Sequence, residues 1–278
     1  MVIIKKTDLL ILFLENQRKL KNYIGFVPTM GALHDGHISL IHHSVRDCEL
    51  TVCSIFVNPT QFNNINDFQT YPTTIEKDIE MLEAAGCDVL FLPDHDEIYP
   101  PSFEKKQYPI GRIEHLLEGK HRPGHFQGVC MVVDRLLSIV KCNNLYLGQK
   151  DYQQCLVIKK LIELNSNTTQ LVIVNTIRES NGLAMSSRNK RLTDLELEKS
   201  TVLYKALTFA AKHIRQSPIL QVQEKAIEMI AHEGFDIDYF DVYDEELNPV
   251  NSLDSGSKLV LLVAASINGV RLIDNIIV

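Results

Sequence analysis

Residues 26–37 read Phe-Val-Pro-Thr-Met-Gly-Ala-Leu-His-Asp-Gly-His, and this stretch decides the fold. A short apolar run ends at Val27, a loop containing Gly31 follows, and a helical pattern begins near His37. A strand that passes through a glycine-containing loop into a helix is typical of parallel α/β sheets, where the helix N-terminus offers backbone N–H groups to an anion. The stretch therefore predicts both a fold class and a phosphate-binding corner.

The alternation of strand and helix continues through the first 176 residues. Buried strands are predicted at residues 23–27, 50–57, 88–92, 144–148 and 170–176, and helices at 37–48, 73–85, 128–140 and 151–164. Thr73, followed three residues later by Glu76, predicts a capping box at the start of one helix, and Gly86 predicts its end. This order predicts a Rossmann-type doubly wound parallel sheet, with ligands at the carboxyl ends of its strands.

The pattern changes after residue 176. Two long helices are predicted at residues 194–215 and 219–232, and residues 235–239 alternate with the period of a half-buried strand. Asn268-Gly269, between apolar runs, is a strong signal for a type I′ hairpin turn. The sequence therefore predicts an α/β domain over 1–176 and a smaller C-terminal α+β domain over 177–278.

Composition limits the classes of function. The chain has 278 residues, of which 45% are apolar and 23% charged, as in globular proteins, and its net charge is −7. An acidic balance argues against nucleic acid or an anionic membrane as partner, and no uncharged apolar run reaches the ~18 residues of a membrane span. The six cysteines contain no C-x-x-C pair, so we expect free thiols in a cytoplasmic protein.

Two histidines stand at the predicted start of the first helix. His34 and His37 can donate hydrogen bonds to charge that develops on a transferring phosphoryl group, while Gly31 and Gly36 allow close backbone approach. The spacing alone leaves two alternatives open. The imidazoles could face solvent, or they could form a zinc pair, although no third ligand of suitable spacing is near in the sequence.

Polar side chains follow two further strands. Asn58 and Gln61 come after residues 50–57 and suit the hydroxyls and carboxylate of a small acid, or else form a turn with a solvated glutamine. Lys150 and Asp151 come after residues 144–148 at a helix start. This position favours a second anion-binding site, although the two could also be ordinary charged residues of the surface. Both groups are expected at the same edge of the sheet.

Two later segments carry cationic groups. Residues 185–188, Met-Ser-Ser-Arg, offer hydroxyls and a guanidinium that match triphosphate oxygens, unless they are an ordinary interdomain linker. Arg122 and His125 flank Pro123-Gly124, a rigid turn that presents two potential cations.

The pattern His34-x-Gly36-His37 after a first strand resembles the HIGH-motif nucleotidyltransferases, and four ordered blocks resemble the pantoate–β-alanine ligase family. The blocks are residues 27–37, 54–62, 122–128 with 146–154, and 178–189. The family usually has Glu at the position of Gln149, a departure that leaves Lys150 and Asp151 intact. Asp78 lies in a matching Tyr-Pro…Asp block and is not expected to be catalytic.

The resemblance implies a ligase of pantothenate and coenzyme A biosynthesis. It would join (R)-pantoate to β-alanine with ATP through a pantoyl-adenylate intermediate, releasing AMP and pyrophosphate, with Mg²⁺ as the partner of ATP and no protein metal site. The alternatives are an adenylyltransferase of the same superfamily acting on a phosphorylated acceptor, and a catalytically idle nucleotide-binding protein. The resemblance also implies a homodimer formed through the first domain, to which residues 130–140 could contribute.

Residue by residue, the resemblance assigns catalysis to His34, His37 and Lys150. Pantoate and β-alanine are expected at Gln61, Gln154, Asn58, Arg122 and His125. ATP is expected at Met30, Gly31, Ala32, Leu33, His34, Asp35, Gly36, His37, Gly148, Gln149, Lys150, Asp151, Ile177, Met185, Ser186, Ser187 and Arg188, with the second domain closing over it.

Overall fold

The computed structural model describes residues 1–63, 65–250, 256 and 258–278. The chain divides into two compact units, of which the first contains Met1–Gly148 and Gln153–Asn175 and the second contains Gln149–Tyr152 and Thr176–Val278. The second unit is thus discontinuous in sequence, because the short segment Gln149–Tyr152 groups with it.

The first unit is built on a six-stranded parallel sheet of order β1-β4-β3-β2-β5-β6, which confirms the predicted fold class. Its strands are β1 (Val2–Ile4), β2 (Ile24–Thr29), β3 (Leu50–Ile55), β4 (Val89–Phe91), β5 (Asn144–Gly148) and β6 (Gln170–Val174). The chain runs from β2 outward to β3 and β4, then returns to β5 and β6 on the other side of β2. The carboxyl ends of β2 and β5 therefore flank a topological switch point, where α/β sheets bind ligands.

Helices cover the sheet of the first unit. They are α1 (Thr7–Lys19), α2 (Asp35–Asp47), α3 (Ile65–Gln69), α4 (Ile75–Ala84), α5 (His95–Ile98), α6 (Leu117–His121), α7 (His125–Val140) and α8 (Tyr152–Leu164). Helix α7 is largely buried in the main core beside β2 and β5. Helix α1 was not predicted from the sequence, and neither was β1, whose three residues are too few to show a strand period.

The capping box predicted at Thr73 and Glu76 is wrong. Helix α4 begins after Thr74, which caps no backbone N–H, and the Thr74 hydroxyl instead donates to Asp78 Oδ1 at 3.0 Å. Gly86 does follow the helix with a left-handed φ of 81°, as predicted. A capping box forms elsewhere, at the start of the first helix of the second unit. There the Thr193 hydroxyl accepts from the backbone N–H of Glu196, and the Glu196 carboxylate accepts from the backbone N–H of Thr193.

The second unit packs helices on a three-stranded antiparallel sheet of order β7-β8-β9. Its elements are α9 (Asp194–Ser200), α10 (Val202–His213), α11 (Ile219–His232), β7 (Asp236–Asp244), β8 (Leu259–Ile267) and β9 (Val270–Ile277). The helix predicted over 194–215 is two helices, because Ser200 and Thr201 donate their hydroxyls to the carbonyls of Glu196 and Glu198 at the junction.

The strands of this unit agree only in part with the sequence pattern. β7 extends past residue 239, with a register shift between Ile237 and Tyr239 that interrupts the period-2 pattern. The hairpin between β8 and β9 is confirmed, since Asn268 and Gly269 both have positive φ, 47° and 76°. Among the helices that the structure describes, none has the length and apolar character needed to cross a bilayer.

Candidate active site

The loop between β2 and α2 (residues 30–34, the β2–α2 loop) has an unusual backbone. Gly31 and Ala32 both adopt left-handed conformations, with φ of 79° and 51°. A Cβ at Gly31 would lie 3.1 Å from Asp78 Oδ2 and 3.1 Å from Ile55 Cγ2, so both space and φ favour glycine there. The loop turns sharply at the carboxyl end of β2 and brings the chain to the N-terminus of α2.

A buried carboxylate holds this loop. The backbone N–H groups of Ala32 and Leu33 donate to Asp78 Oδ2 and Oδ1, each at 2.9 Å, and the Thr74 hydroxyl donates to the same side chain. Asp78 has no exposed surface, and a buried charge persists only where donors satisfy it. Asp78 was not predicted to serve the site, although a lone acidic residue on the inner face of an amphipathic helix is a signal that could have found it.

The two predicted imidazoles lie side by side at the start of α2. The ring centroids of His34 and His37 are 4.0 Å apart and their planes are tilted by 38°. His34 is the N-cap residue of the helix, and Asp35 occupies its first turn, where a carboxylate is favourable to the helix dipole. Two imidazoles therefore lie at the positive end of a helix dipole, and together these groups can stabilise negative charge.

The predicted acid-binding residue Gln61 reaches the β2–α2 loop. Gln61 ends a short 3₁₀ helix after β3, and its Nε2 donates to Met30 Sδ at 3.1 Å. Its Oε1 accepts from Asn58 Nδ2 at 3.1 Å. Within the first unit, the structure thus brings a residue predicted to bind pantoate next to a residue predicted to bind ATP.

Asn58 is 1% exposed and makes its contacts inside the protein. Its Nδ2 also donates to the Gly128 carbonyl at 3.1 Å, and its Oδ1 accepts from the Thr60 hydroxyl at 2.9 Å and from the Tyr99 hydroxyl at 3.0 Å. Burial raises the pKa of Tyr99 to about 12, so the phenol keeps the proton that it donates. These contacts orient Gln61, whereas direct contact of Asn58 with substrate stays a prediction.

His125 and Arg122 also gather around Gln61. His125 is 6% exposed, its Nδ1 lies 2.8 Å from the Gln61 carbonyl oxygen, and its Nε2 lies 3.1 Å from Arg122 Nη1. Because arginine can only donate, this geometry fits a neutral imidazole that accepts at Nε2 and donates at Nδ1. Arg122 Nη1 also lies 3.4 Å from the carboxylate of Glu118, so an ion pair neutralises its charge in part. These contacts fix the backbone of Gln61, and substrate binding by the two side chains remains a prediction.

The remaining predicted residues of the first unit lie near the end of β5 and on α8. Gly148 closes β5, and its carbonyl accepts from the Cys155 thiol at 3.4 Å. Gln154 is half-buried on the first turn of α8. Its neighbour Gln153 is buried and donates to the carbonyls of Ile113 and Leu116, which ties α8 to the segment before α6.

The second unit contains the other predicted nucleotide residues. Lys150 Nζ lies 3.2 Å from Asp151 Oδ2, and the backbone of Gln149 and Lys150 is held by Asn275 of β9. Asn275 was not predicted from the sequence, although a polar residue in an apolar strand is a usable signal.

The Met185–Arg188 segment is ordered by short-range contacts within the second unit. Met185 N donates to the Ile177 carbonyl at 3.0 Å, and Arg188 N donates to Ser186 Oγ at 3.3 Å. Ser187 is buried, whereas Met185, Ser186 and Arg188 are half-buried. In the part of the chain that the structure describes, no three His, Cys, Asp or Glu side chains are grouped as a metal site.

Comparison with known proteins identifies the family. A family model described as pantoate-beta-alanine ligase matches residues 2–277. A pantothenate synthetase of Cytophaga hutchinsonii is 38% identical over 288 residues, which cover 100% of this chain and 99% of the relative. The crystal structure of pantothenate synthetase from Thermus thermophilus has a TM-score of 0.92 at 36% identity and covers 99% of both chains.

A second solved structure contains ligands. The pantoate-beta-alanine ligase of Francisella tularensis, solved in complex with beta-gamma ATP and beta-alanine, has a TM-score of 0.82 at 39% identity, with 99% of this chain and 97% of that chain covered. The family model alone spans far more than half of the sequence. The chain belongs to the pantoate–β-alanine ligase family.

Proposed function

We propose that this protein ligates (R)-pantoate and β-alanine to pantothenate with ATP, through pantoyl adenylate, and releases AMP and pyrophosphate. The observation that carries the proposal is the placement of Gln61 against Met30, at the loop that leads into the His34–His37 pair. Family membership and the ATP and β-alanine bound by the Francisella relative support the same reaction.

The first step activates the acid. A carboxylate oxygen of pantoate attacks the α-phosphorus of ATP, the bond to the β-phosphate oxygen breaks, and pyrophosphate leaves. Negative charge builds on the phosphoryl oxygens in this step, and donors fixed before the reaction stabilise it most effectively. The α2 N-terminus with His34 and His37 supplies such donors, and we assign Lys150, Ser186, Ser187 and Arg188 to the phosphates as well.

The second step forms the amide. The neutral amine of β-alanine attacks the carbonyl carbon of pantoyl adenylate, the carbon–oxygen bond to AMP breaks, and the amine nitrogen loses a proton. The adenylate makes the carboxylate oxygen a good leaving group, so no covalent enzyme intermediate is required. Gln61 positions the acid in both steps, and its own position depends on Asn58, His125 and Arg122.

Mg²⁺ is proposed to enter with ATP. When bound with ATP, it would supply positive charge that offsets the charge of the triphosphate. The residues assigned to the phosphates would hold Mg²⁺ indirectly, through the triphosphate. Asp151 offers a partly exposed carboxylate beside Lys150.

A homodimer and a cytoplasmic location also belong to the proposal. Helix α7 is largely buried within its own unit, so residues 130–140 do not suit a dimer contact. Exposed apolar side chains on the first unit suit it better, among them Leu9 and Leu12 on α1 and Ile173 on the edge strand β6. The six cysteines are free thiols, as is usual in a reducing compartment.

A product assay tests the reaction. ATP, Mg²⁺, pantoate and β-alanine together are expected to give pantothenate, AMP and pyrophosphate in equal amounts, and omission of either organic substrate is expected to abolish pantothenate. Pantoate and Mg²⁺-ATP alone should give a burst of pyrophosphate and exchange of labelled pyrophosphate into ATP. An AMP-containing dinucleotide as product would instead identify an adenylyltransferase, and ATP binding without any pyrophosphate release would identify an idle nucleotide-binding protein.

A further inference from the structure

Strand β9 carries two adjacent buried polar residues within an apolar sequence. Asp274 is 3% exposed and Asn275 is 1% exposed. Neighbouring side chains of a strand point to opposite faces of the sheet, so the two residues serve different partners. Burying such groups is costly unless hydrogen bonds satisfy them, and both have partners in the second unit.

Asp274 binds the segment that precedes Met185–Arg188. Arg178 Nη1 and Nη2 donate to the two Asp274 oxygens at 2.6 and 2.9 Å, and the guanidinium lies 3.9 Å from the ring centroid of Tyr204. Arg178 also donates to the Gly182 carbonyl at 3.1 Å. One face of β9 therefore fixes the hairpin at residues 178–184.

Asn275 binds the segment that contains Lys150. Its Nδ2 donates to the backbone carbonyls of Gln149 and Lys150, each at 2.9 Å, and its Oδ1 accepts from Gln149 Nε2 at 3.2 Å. The amide thus uses both N–H groups and its oxygen on one short piece of chain. A carboxylate at this position would lose both donations to the carbonyls.

We propose that Asn275 is a positioning residue for Lys150. It holds the backbone from which the Lys150 side chain extends, and thereby fixes the position at which the ammonium group binds ATP. The inference rests on the proposed function, because it assigns Asn275 to the same chemistry. A misplaced phosphate donor slows the adenylation step and leaves the amine step unchanged. We expect the pyrophosphate burst to slow by about 10- to 100-fold when Asn275 no longer donates.

The test compares two variants of Asn275 with one control. Asn275→Asp keeps the size of the side chain and removes both donations, and Asn275→Ala removes the side chain without adding a buried charge. Arg271→Ala is the control, since Arg271 lies on the same strand and its Nε donates to Asp238 at 2.6 Å, away from residues 149–152. For each protein the burst rate, the burst amplitude, the KM for β-alanine and backbone hydrogen exchange are measured.

The expected result is a slower burst of full amplitude in both Asn275 variants, an unchanged KM for β-alanine, and faster exchange at residues 149–152 but not in α11. The control is expected to match the unmodified protein in burst rate. A loss confined to burst amplitude would show that Asn275 serves folding alone, and unchanged exchange at 149–152 would equally overturn the inference. If the unmodified protein gives no pantoate-dependent pyrophosphate, the proposed function fails, while the exchange comparison still decides whether Asn275 holds the segment.

Discussion

The anchoring of the β2–α2 loop by Asp78 leads to a quantitative prediction for Asp78→Asn. The carboxylate accepts from two backbone N–H groups and from one hydroxyl, all in a site without solvent. Asparagine retains one oxygen, so one backbone N–H loses its acceptor and faces an NH₂ group. A hydrogen bond to a charged acceptor contributes about 1.5–3 kcal/mol and an unsatisfied buried N–H costs about 1–3 kcal/mol, so together we expect the free energy of unfolding to fall by about 2.5–6 kcal/mol.

The same change is expected to reach the chemistry. Ala32, with its φ of 51°, depends on the Asp78 contact to stay in the left-handed region, and the loop relaxes when the contact is lost. A displacement of the His34–His37 pair by about 1 Å is enough to slow adenylation by about 10²-fold. We therefore expect Asp78→Asn to lower both the urea midpoint and the rate of pantoate-dependent exchange of pyrophosphate into ATP.

Asp88→Asn provides the matched control in the same unit. Asp88 is exposed and accepts from a single backbone N–H, that of Thr51 at 2.7 Å, so its substitution should cost less than about 1 kcal/mol. Urea unfolding and isotope exchange are measured on both variants. Equal urea midpoints for the two variants, together with exchange rates within about twofold of each other, would refute the anchoring role of Asp78.

Three further predictions concern separate parts of the chain. His37→Ala is expected to slow the pyrophosphate burst by about 10²–10³-fold with an unchanged melting temperature, and near-normal turnover in a stable variant would contradict this. Gly128→Ala is expected to raise the KM for pantoate, because a Cβ there would lie 2.3 Å from the Thr60 carbonyl oxygen and displace the turn that carries Gln61. An unchanged KM for pantoate in steady-state kinetics would exclude that displacement. Native alkylation at pH 8, followed by mass spectrometry, is expected to label Cys48 well before Cys142. Cys48 is half-buried, whereas Cys142 is buried and burial raises its pKa to about 12, so equal labelling rates would argue against that burial.

The sequence predicted the elements whose signal is local. The strand at 144–148 and the hairpin at Asn268-Gly269 agree with the structure, because a buried parallel strand needs a continuous apolar run and a two-residue turn needs residues that tolerate positive φ. The prediction of one helix over 194–215 was wrong at one point. The hydroxyls of Ser200 and Thr201 donate to backbone carbonyls there and compete with the hydrogen bonds of the helix. Periodicity alone does not show such competition.

The contacts made by the supports of the site were beyond reach for a different reason. Asp78 contacts a loop 45 and 46 residues earlier in the chain, and Asn275 contacts carbonyls 125 and 126 residues earlier. Motifs report residues that are close in sequence, whereas these contacts are produced by the folded topology. The sequence therefore indicated candidate site residues more readily than the residues that hold them in place.

The discontinuity of the second unit has a consequence for the growing polypeptide on the ribosome. The segment Gln149–Tyr152 is synthesised between two elements of the first unit, yet its partner Asn275 follows Gln149 by 126 residues. At about 5–20 residues per second, translation needs roughly 6–25 s to cover that interval. During that time the first unit can complete its parallel sheet, while the backbone around Lys150 still lacks the strand that holds it. The nascent chain is thus expected to complete the sheet of its first unit well before β9 fixes the backbone of Lys150, the residue that we propose acts on ATP.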